Sequence, residues 1–249
     1  MTAVLETKGL SAGYAGQPVI HDLDIEVAAG EVVSMLGANG AGKTTTLLTC
    51  AGELPPMGGE VFMYGAVTTA PLHKRAKEGL SYVTEERSVF KGLSARDNLR
   101  VAGLSPKDAI ALFPELERVM GTRGGLLSGG EQQMLTLARA LARQPKLLLV
   151  DELSLGLAPL IVERLLQAVR AAADDRGTGI LMVEQHARKA LRYADRAYVM
   201  RGGRIEMAVT AAEALERLDE IEAAYLSTHT PATTTDGAGP PPASSDQSA

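Results

Sequence analysis

EVVSMLGANGAGKTT, residues 31–45, decides how the rest of the chain is read. Apolar β-type sequence runs into a glycine-rich turn that fits G-x-x-x-x-G-K-[ST] and leads into helix-forming sequence. Such a turn aims the backbone N–H groups of Gly37, Ala38, Asn39, Gly40, Ala41 and Gly42 at phosphate oxygens, and the new helix adds the positive end of its dipole. Lys43 is placed to reach the β- and γ-phosphates of ATP, the Thr44 hydroxyl to hold Mg²⁺, and Thr45 to continue the helix start. A glycine-rich turn with an incidental lysine lacks the strand before it and the helix after it.

Outward from this turn, short β-type runs alternate with helical patterns. EVVSMLG precedes a helix at 43–52, LLLV precedes one at 159–175, and GILMV precedes one at 186–193. Alternation of this kind predicts a largely parallel sheet covered by helices. VLETKGLSAGY and VIHDLDIEV show β-rich alternation with no helix between them, which predicts a small antiparallel layer at the N-terminus. DRAYVMRGGRIEMAV reads as a hairpin turning at Gly202-Gly203. Between residues 94 and 143 the β signal gives way to an inserted helical segment. Residues 228–249 are Thr, Pro, Ser, Ala and Gly with little to bury, so a disordered tail is expected there.

Composition narrows the function classes. With 249 residues, 45% of them apolar, the chain can fill a sizeable core. Lys and Arg number 25 against 30 Asp and Glu, and basic residues never run beyond two, which argues against a nucleic-acid partner. The single cysteine, Cys50, excludes an internal disulfide and fits a reducing compartment. No apolar run approaches the roughly 18 to 20 residues that span a bilayer, and no secretory start is seen, so a cytoplasmic protein is expected, held at a membrane only through partners.

A nucleotide site needs an acid for its metal, and KLLLVDE supplies one at a strand end. Asp151 is placed to hold Mg²⁺, and Glu152, aimed differently, to polarise an attacking water as general base. LLSGGEQQMLTLARAL, from Leu126, holds a second glycine pair at a helix start, where Ser128 can cap the helix with Glu131 three residues on, and Gly129 and Gly130 expose N–H groups to an anion. As a capped helix alone this needs no function. Taken together, however, GANGAGKTT, LSGGEQQM, LLLVDE and SLGLAP resemble, in sequence and in order, the ABC-type ATPases, and most closely the LivF-like ATPases of branched-chain amino-acid importers.

That resemblance covers about residues 4–227 and implies a P-loop NTPase (RecA-like) α/β core, an N-terminal antiparallel β layer and a helical subdomain inserted at 94–143. It implies a head-to-tail dimer in which the P-loop of one subunit and Ser128, Gly129 and Gly130 of the other close on one ATP. Tyr14 matches the aromatic that stacks on adenine. YVTEERSVF, from Tyr82, resembles YVPEGRxVF, with Glu85 contacting Mg²⁺ or water where other branches carry Gln, and with Thr84 and Glu86 departing from the usual Pro and Gly. Leu153 replaces the usual proline after the two acids. The helical insertion is also short, which suggests a trimmed permease-docking surface. A γ-phosphate-sensing histidine is expected in the family some 33 residues beyond the base, and from Glu152 that count reaches Gln185, with His186 next. Gln185 therefore takes the switch position and His186 stays the competing candidate, since a helix start read from sequence carries an error of about two to four residues.

The implied protein is an ATP-hydrolysing subunit at the cytoplasmic face of a membrane, working with two permeases, a second ATPase (LivG-like or identical) and, indirectly, an extracytoplasmic binding protein. Branched-chain amino acids are the expected cargo. Urea, amides or aromatic acids are the other cargoes the resemblance allows, and a non-transport regulatory ATPase is the reading from another class.

Overall fold

The computed structural model describes residues 2–184 and 187–226. Two long strands open the chain, β1 (Ala3–Tyr14) and β2 (Gln17–Ala28), paired antiparallel with Tyr14 opposite Gln17. Then come β3 (Val32–Gly37), α1 (Lys43–Ala51), β4 (Gly58–Met63), β5 (Ala66–Val67), α2 (Leu72–Glu78) and β6 (Leu80–Val83). The strands β2-β1-β4-β5 form the antiparallel layer expected at the N-terminus, widened by two strands that the sequence reading did not anticipate.

Helices α3 (Ala95–Val101), α4 (Pro106–Leu112) and α5 (Gly129–Leu141) follow, with short 3₁₀ turns at Pro114–Val119 and Gly124–Leu126. Ser94 and Ser105 cap α3 and α4 by accepting from Asp97 N–H and Lys107 N–H, so each start is written in the sequence as a hydroxyl before a helical run. The chain then returns to the sheet with β7 (Leu147–Asp151), α6 (Pro159–Arg176), β8 (Gly179–Val183), α7 (Ala187–Leu191), β9 (Arg196–Arg201) and β10 (Arg204–Thr210). It continues through α8 (Ala211–Glu216) and α9 (Leu218–Leu226). The second sheet has the order β10-β9-β3-β8-β7-β6, parallel except for the β9-β10 hairpin, which turns at Gly202-Gly203 as read.

Side-chain alternation assigns the two faces of this sheet. Val32, Leu148, Val150, Ile180 and Met182 pack with α5 and α6, whereas Val33, Met35, Leu147, Leu149, Leu181 and Val183 pack with α1 and the antiparallel layer. All eleven are at most 1% exposed, so the strand ends are fixed from both sides. Cys50 is buried on the second face, and its burial pushes the thiol up to about 12. The strand Leu80–Val83 escaped the sequence reading because four residues without clear alternation carry too little signal. Among the described residues no helix is long and apolar enough to cross a membrane. The expected disordered tail, 228–249, lies outside the described residues.

Candidate functional site

The loop between β3 and α1 is shaped by its contact with β2. Gly42 has φ 101°, and a Cβ there would lie 2.5 Å from Ile20 Cγ2, so only glycine lets the loop lie against that strand. Lys43 is 6% exposed, and its Nζ donates to the Gly37 and Ala38 carbonyls at 2.7 and 2.9 Å, which folds the side chain back over the loop. Burial lowers its pKa, opposed by the negative charges of Glu152 and Asp151. A cavity of about 290 Å³ lies in front of the loop, lined by Asn39, Gly40, Gly42, Lys43, Thr44 and Thr45 together with Val19, Glu85 and Glu152. Tyr14, at the end of β1, stands half-exposed with its hydroxyl 3.5 Å from Thr45 Oγ1. Residues from four separate stretches of sequence thus meet at one cavity.

Asp151 ends β7, 1% exposed, and its Oδ1 is buried without a hydrogen-bond partner. Burial, partly offset by a hydrogen bond with Thr44, raises its pKa to about 6, and the charges of Glu152 and Glu85 push the same way. A buried oxygen left open beside a threonine hydroxyl fits a small hard cation, which binds through one or two protein oxygens and keeps most of its waters. Among the described residues no three His, Cys, Asp or Glu side chains converge into an all-protein metal cage. Thr44 and Asp151, with Glu85 across the cavity, are the residues that would hold Mg²⁺.

Glu152 follows with φ 45°, a left-handed backbone that costs an L-residue roughly 1–2 kcal/mol. Its N–H donates to the Val183 carbonyl at 3.0 Å, and its side chain lines the cavity. Leu153, where the resemblance expects proline, is 1% exposed in the helix-facing core, so the departure is accommodated by apolar packing. Thr84, in the loop after β6, replaces proline's rigidity with hydrogen bonds: its hydroxyl donates to the Glu86 carbonyl at 2.8 Å and lies 3.1 Å from Ser88 Oγ.

Ser128 caps α5 through a capping box. Its hydroxyl accepts from Glu131 N–H at 3.3 Å, and the Glu131 carboxylate accepts from Ser128 N–H at 2.9 Å, which lowers the Glu131 pKa. Gly129 and Gly130 are closely approached, since added Cβ atoms would sit 3.0 Å from the Arg87 guanidinium and 3.1 Å from Ile161 Cγ2 and would press on both side chains. Ser128, Gly129 and Gly130 line a second cavity of about 290 Å³ with Gly156, Leu157 and Ala158 from the SLGLAP stretch. It shares no lining residue with the first, so within one chain the two glycine clusters stay apart.

Gln185 and His186 lie outside the described residues. Two features were missed by sequence reasoning. A groove of about 350 Å³ runs between β6 and α5, lined among others by Glu53, Leu72, Tyr82, Ala102, Thr136 and Arg139, which come from elements too far apart in sequence to signal it. Glu184, directly after β8, is 3% exposed and bonds to Ser154, and its burial raises its pKa to about 7. An acid directly after an apolar strand, as at Asp151, was the available signal.

The family profile described as ABC transporter matches residues 20–154. The chain is 39% identical to the high-affinity branched-chain amino acid transport ATP-binding protein BraG of Pseudomonas aeruginosa, over 87% of this chain and 97% of that protein. It is 36% identical to the lipopolysaccharide export system ATP-binding protein LptB of Acidithiobacillus ferridurans, over 91% of this chain and 98% of that protein. A solved structure of an ATP-binding subunit of an ABC transporter superposes with a TM-score of 0.76 at 28% identity, covering 90% of this chain and 99% of that one. With an α/β core of this topology, a cavity lined by the G-x-x-x-x-G-K-T loop and relatives matched almost end to end, the chain belongs to the ATP-binding subunits of ABC transporters, ATPases coupled to transport.

Proposed function

We propose that this chain is one of two cassettes that close on ATP and drive import of branched-chain amino acids through partner permeases. The observation that carries the two-cassette reading is the separation of the P-loop cavity from the cavity of Ser128, Gly129 and Gly130 in the same chain. A second subunit, LivG-like or identical, would bring its own glycine pair to the ATP held by Lys43 and complete the site in reverse. In this reading the ATPase unit spans residues 4–227, with 94–143 as its helical subdomain, and 228–249 forms a tail without a folding role.

The roles follow from chemistry and position. Tyr14 offers a ring face to adenine. Backbone N–H groups from Gly37 to Gly42 and the Lys43 ammonium bind the β- and γ-phosphates, with Thr44 and Thr45 at the helix start. Mg²⁺ held by Thr44 and Asp151, with Glu85 directly or through water, neutralises phosphate charge when bound. Glu152 takes the proton from the attacking water. Gln185 donates to the γ-phosphate, with His186 as the competing donor. The β6–α5 groove, with Tyr82 and Arg139 on its walls, receives a cytoplasmic segment of a permease and holds the chain at the cytoplasmic face. An extracytoplasmic binding protein would deliver cargo on the far side.

Cargo rests on the 39% identity to BraG, and the comparable likeness to LptB keeps a different cargo and direction as the second reading. Retention of Lys43 and Glu152 on one cavity, with Asp151 buried behind them, favours hydrolysis over a purely regulatory ATPase. The test is Glu152→Gln: ATP binding is retained, turnover falls by at least about a thousandfold, and the variant elutes as an ATP-dependent dimer. Turnover within about twofold of the parent would remove Glu152 from the role of base.

A further inference from the structure

Glu184 is a buried carboxylate that the roles above leave unused. Its Oε2 accepts from the Ser154 hydroxyl at 2.5 Å and its Oε1 from the Ser154 N–H at 3.2 Å, and the Leu153 backbone contributes a further, weaker hydrogen bond. One residue earlier, the Val183 carbonyl accepts from Glu152 N–H. The turn 152–154 is therefore fastened along its length to the end of β8. The Ser154 hydroxyl, the Ser154 N–H and the Leu153 backbone all donate here, which suits an acceptor carboxylate, while burial and the Glu152 charge oppose its ionisation. Leu153 matters for the same reason: proline at 153 would bring no N–H.

The fastening acts on a turn that has something to hold. Glu152 is in a left-handed backbone conformation with its side chain in the phosphate cavity, and Ser154 opens the stretch whose Gly156, Leu157 and Ala158 line the cavity of Ser128–Gly130. We propose that Glu184 is a positioning residue for hydrolysis: it pins the 152–154 turn so that the Glu152 carboxylate stays aimed into its own phosphate cavity while the following residues stay in register with the signature cavity. Glu184 is not among the residues lining the phosphate cavity and acts through the turn. The inference rests on the reading of Glu152 as base.

The test uses the full chain and compares Glu184→Ala, Glu184→Gln, Ser154→Ala and the Glu184→Ala/Ser154→Ala pair. Affinity for a fluorescent ATP analogue, kcat and melting temperature are measured for each. Glu184→Ala is expected to lower kcat about 10- to 100-fold with nucleotide affinity within about twofold, because losing a charge-assisted clamp misaims the base without touching the phosphate cradle. Ser154→Ala should lower kcat less, and the pair should be no worse than Glu184→Ala alone, since both act through one bond. Glu184→Gln, whose amide can still accept from Ser154 N–H and donate to its hydroxyl oxygen, should recover most of the rate. A kcat within about twofold in Glu184→Ala, additive single effects, or affinity and kcat falling together would each overturn the proposal. If Glu184→Ala does not fold, Ser154→Ala decides by the same split of kcat from affinity, with Glu184→Gln expected to keep most of the rate. Glu152→Gln, assayed alongside, separates the two failures: retained turnover there sinks the base itself, whereas lost turnover there with an unaffected Glu184→Ala sinks only the clamp.

Discussion

Both glycine clusters of this chain sit at helix starts, yet they are built for different work. Around Lys43 the structure gathers a buried cation, a buried acid with an open oxygen, and two further carboxylates. Around Gly129 it offers N–H groups, a capping serine and small residues, while the nearest acid, Glu131, is occupied in the cap and in an ion pair with Arg118. The first cluster can bind phosphate, hold a metal and take up a proton. The second offers N–H donors, with the Arg87 and Arg118 guanidiniums close by, to an anion that something else has brought. The difference explains why a chain with two phosphate-seeking turns needs a second copy or a relative.

The sharpest break of this comparison is Lys43→Ala. Its ammonium already satisfies two carbonyls in the loop and offsets two acids, so removal costs the P-loop side the one positive side chain that lines the cavity among the described residues. ATP affinity of the isolated chain should fall about a hundredfold, equivalent to roughly 3 kcal/mol. Equilibrium titration with a labelled analogue measures this, and unchanged affinity would place the phosphates elsewhere.

Next in size is the switch position. Gln185→Ala should slow hydrolysis about ten- to a hundredfold in the assembled transporter, the cost of a charge-assisted hydrogen bond of roughly 1.5–3 kcal/mol, and His186→Ala should do much less. A titration near neutrality that disappears in His186→Ala would assign the role to histidine, because an amide has no such step.

The P-loop core was legible because each turn is preceded by an apolar strand and followed by a helix: β3 to α1 and β7 to the acids at 151 and 152 were read from local pattern alone. The hairpin at Gly202-Gly203 was legible from its glycine pair between two β-type runs. What pattern could not supply was proximity across the sheet. Parallel pairing sets Asp151 beside Val183, which brings Glu184 to Ser154 across a separation of 30 positions, and no local periodicity encodes that register. The β6–α5 groove was hidden likewise, its walls coming from Tyr82 and Arg139.

Acid separates the two regions by sign. Glu184 has its pKa raised by burial from 4.5 to about 7, so the folded chain binds a proton that the unfolded chain releases. Stability from this group is therefore greatest below about pH 4.5 and falls as pH rises toward 7, by on the order of 2–3 kcal/mol. Glu131 runs the other way: hydrogen bonds from Ser128 lower its pKa, so its contribution is present above 4.5 and is lost as pH falls through the lowered value. Thermal melts between pH 4.5 and 7.5 should show Glu184→Gln flattening the decline toward neutrality. An unchanged slope would mean that Glu184 is ionised in the fold without penalty.

The smallest expected effect probes the second cluster by itself. Ser128→Ala removes the hydroxyl that accepts from Glu131 N–H, and it leaves Glu131 able to accept from the backbone N–H of residue 128. A lost N-cap costs about 1 kcal/mol, a fall of a few degrees in melting temperature for a chain of this size. Nucleotide affinity of the isolated chain should be unchanged, because Ser128 lines a cavity that shares nothing with that of Lys43. Hydrolysis should fall by more than the loss of fold stability accounts for, and only where two subunits meet. Mixing Ser128→Ala with a Lys43→Ala partner makes the asymmetry visible. In a head-to-tail pair one composite site then carries both lesions and the other carries neither, so one of the two sites in every mixed pair survives intact. If each subunit instead used its own glycine pair on its own ATP, every site in the mixture would carry one lesion and mixing would restore no activity beyond that of the two variants assayed separately.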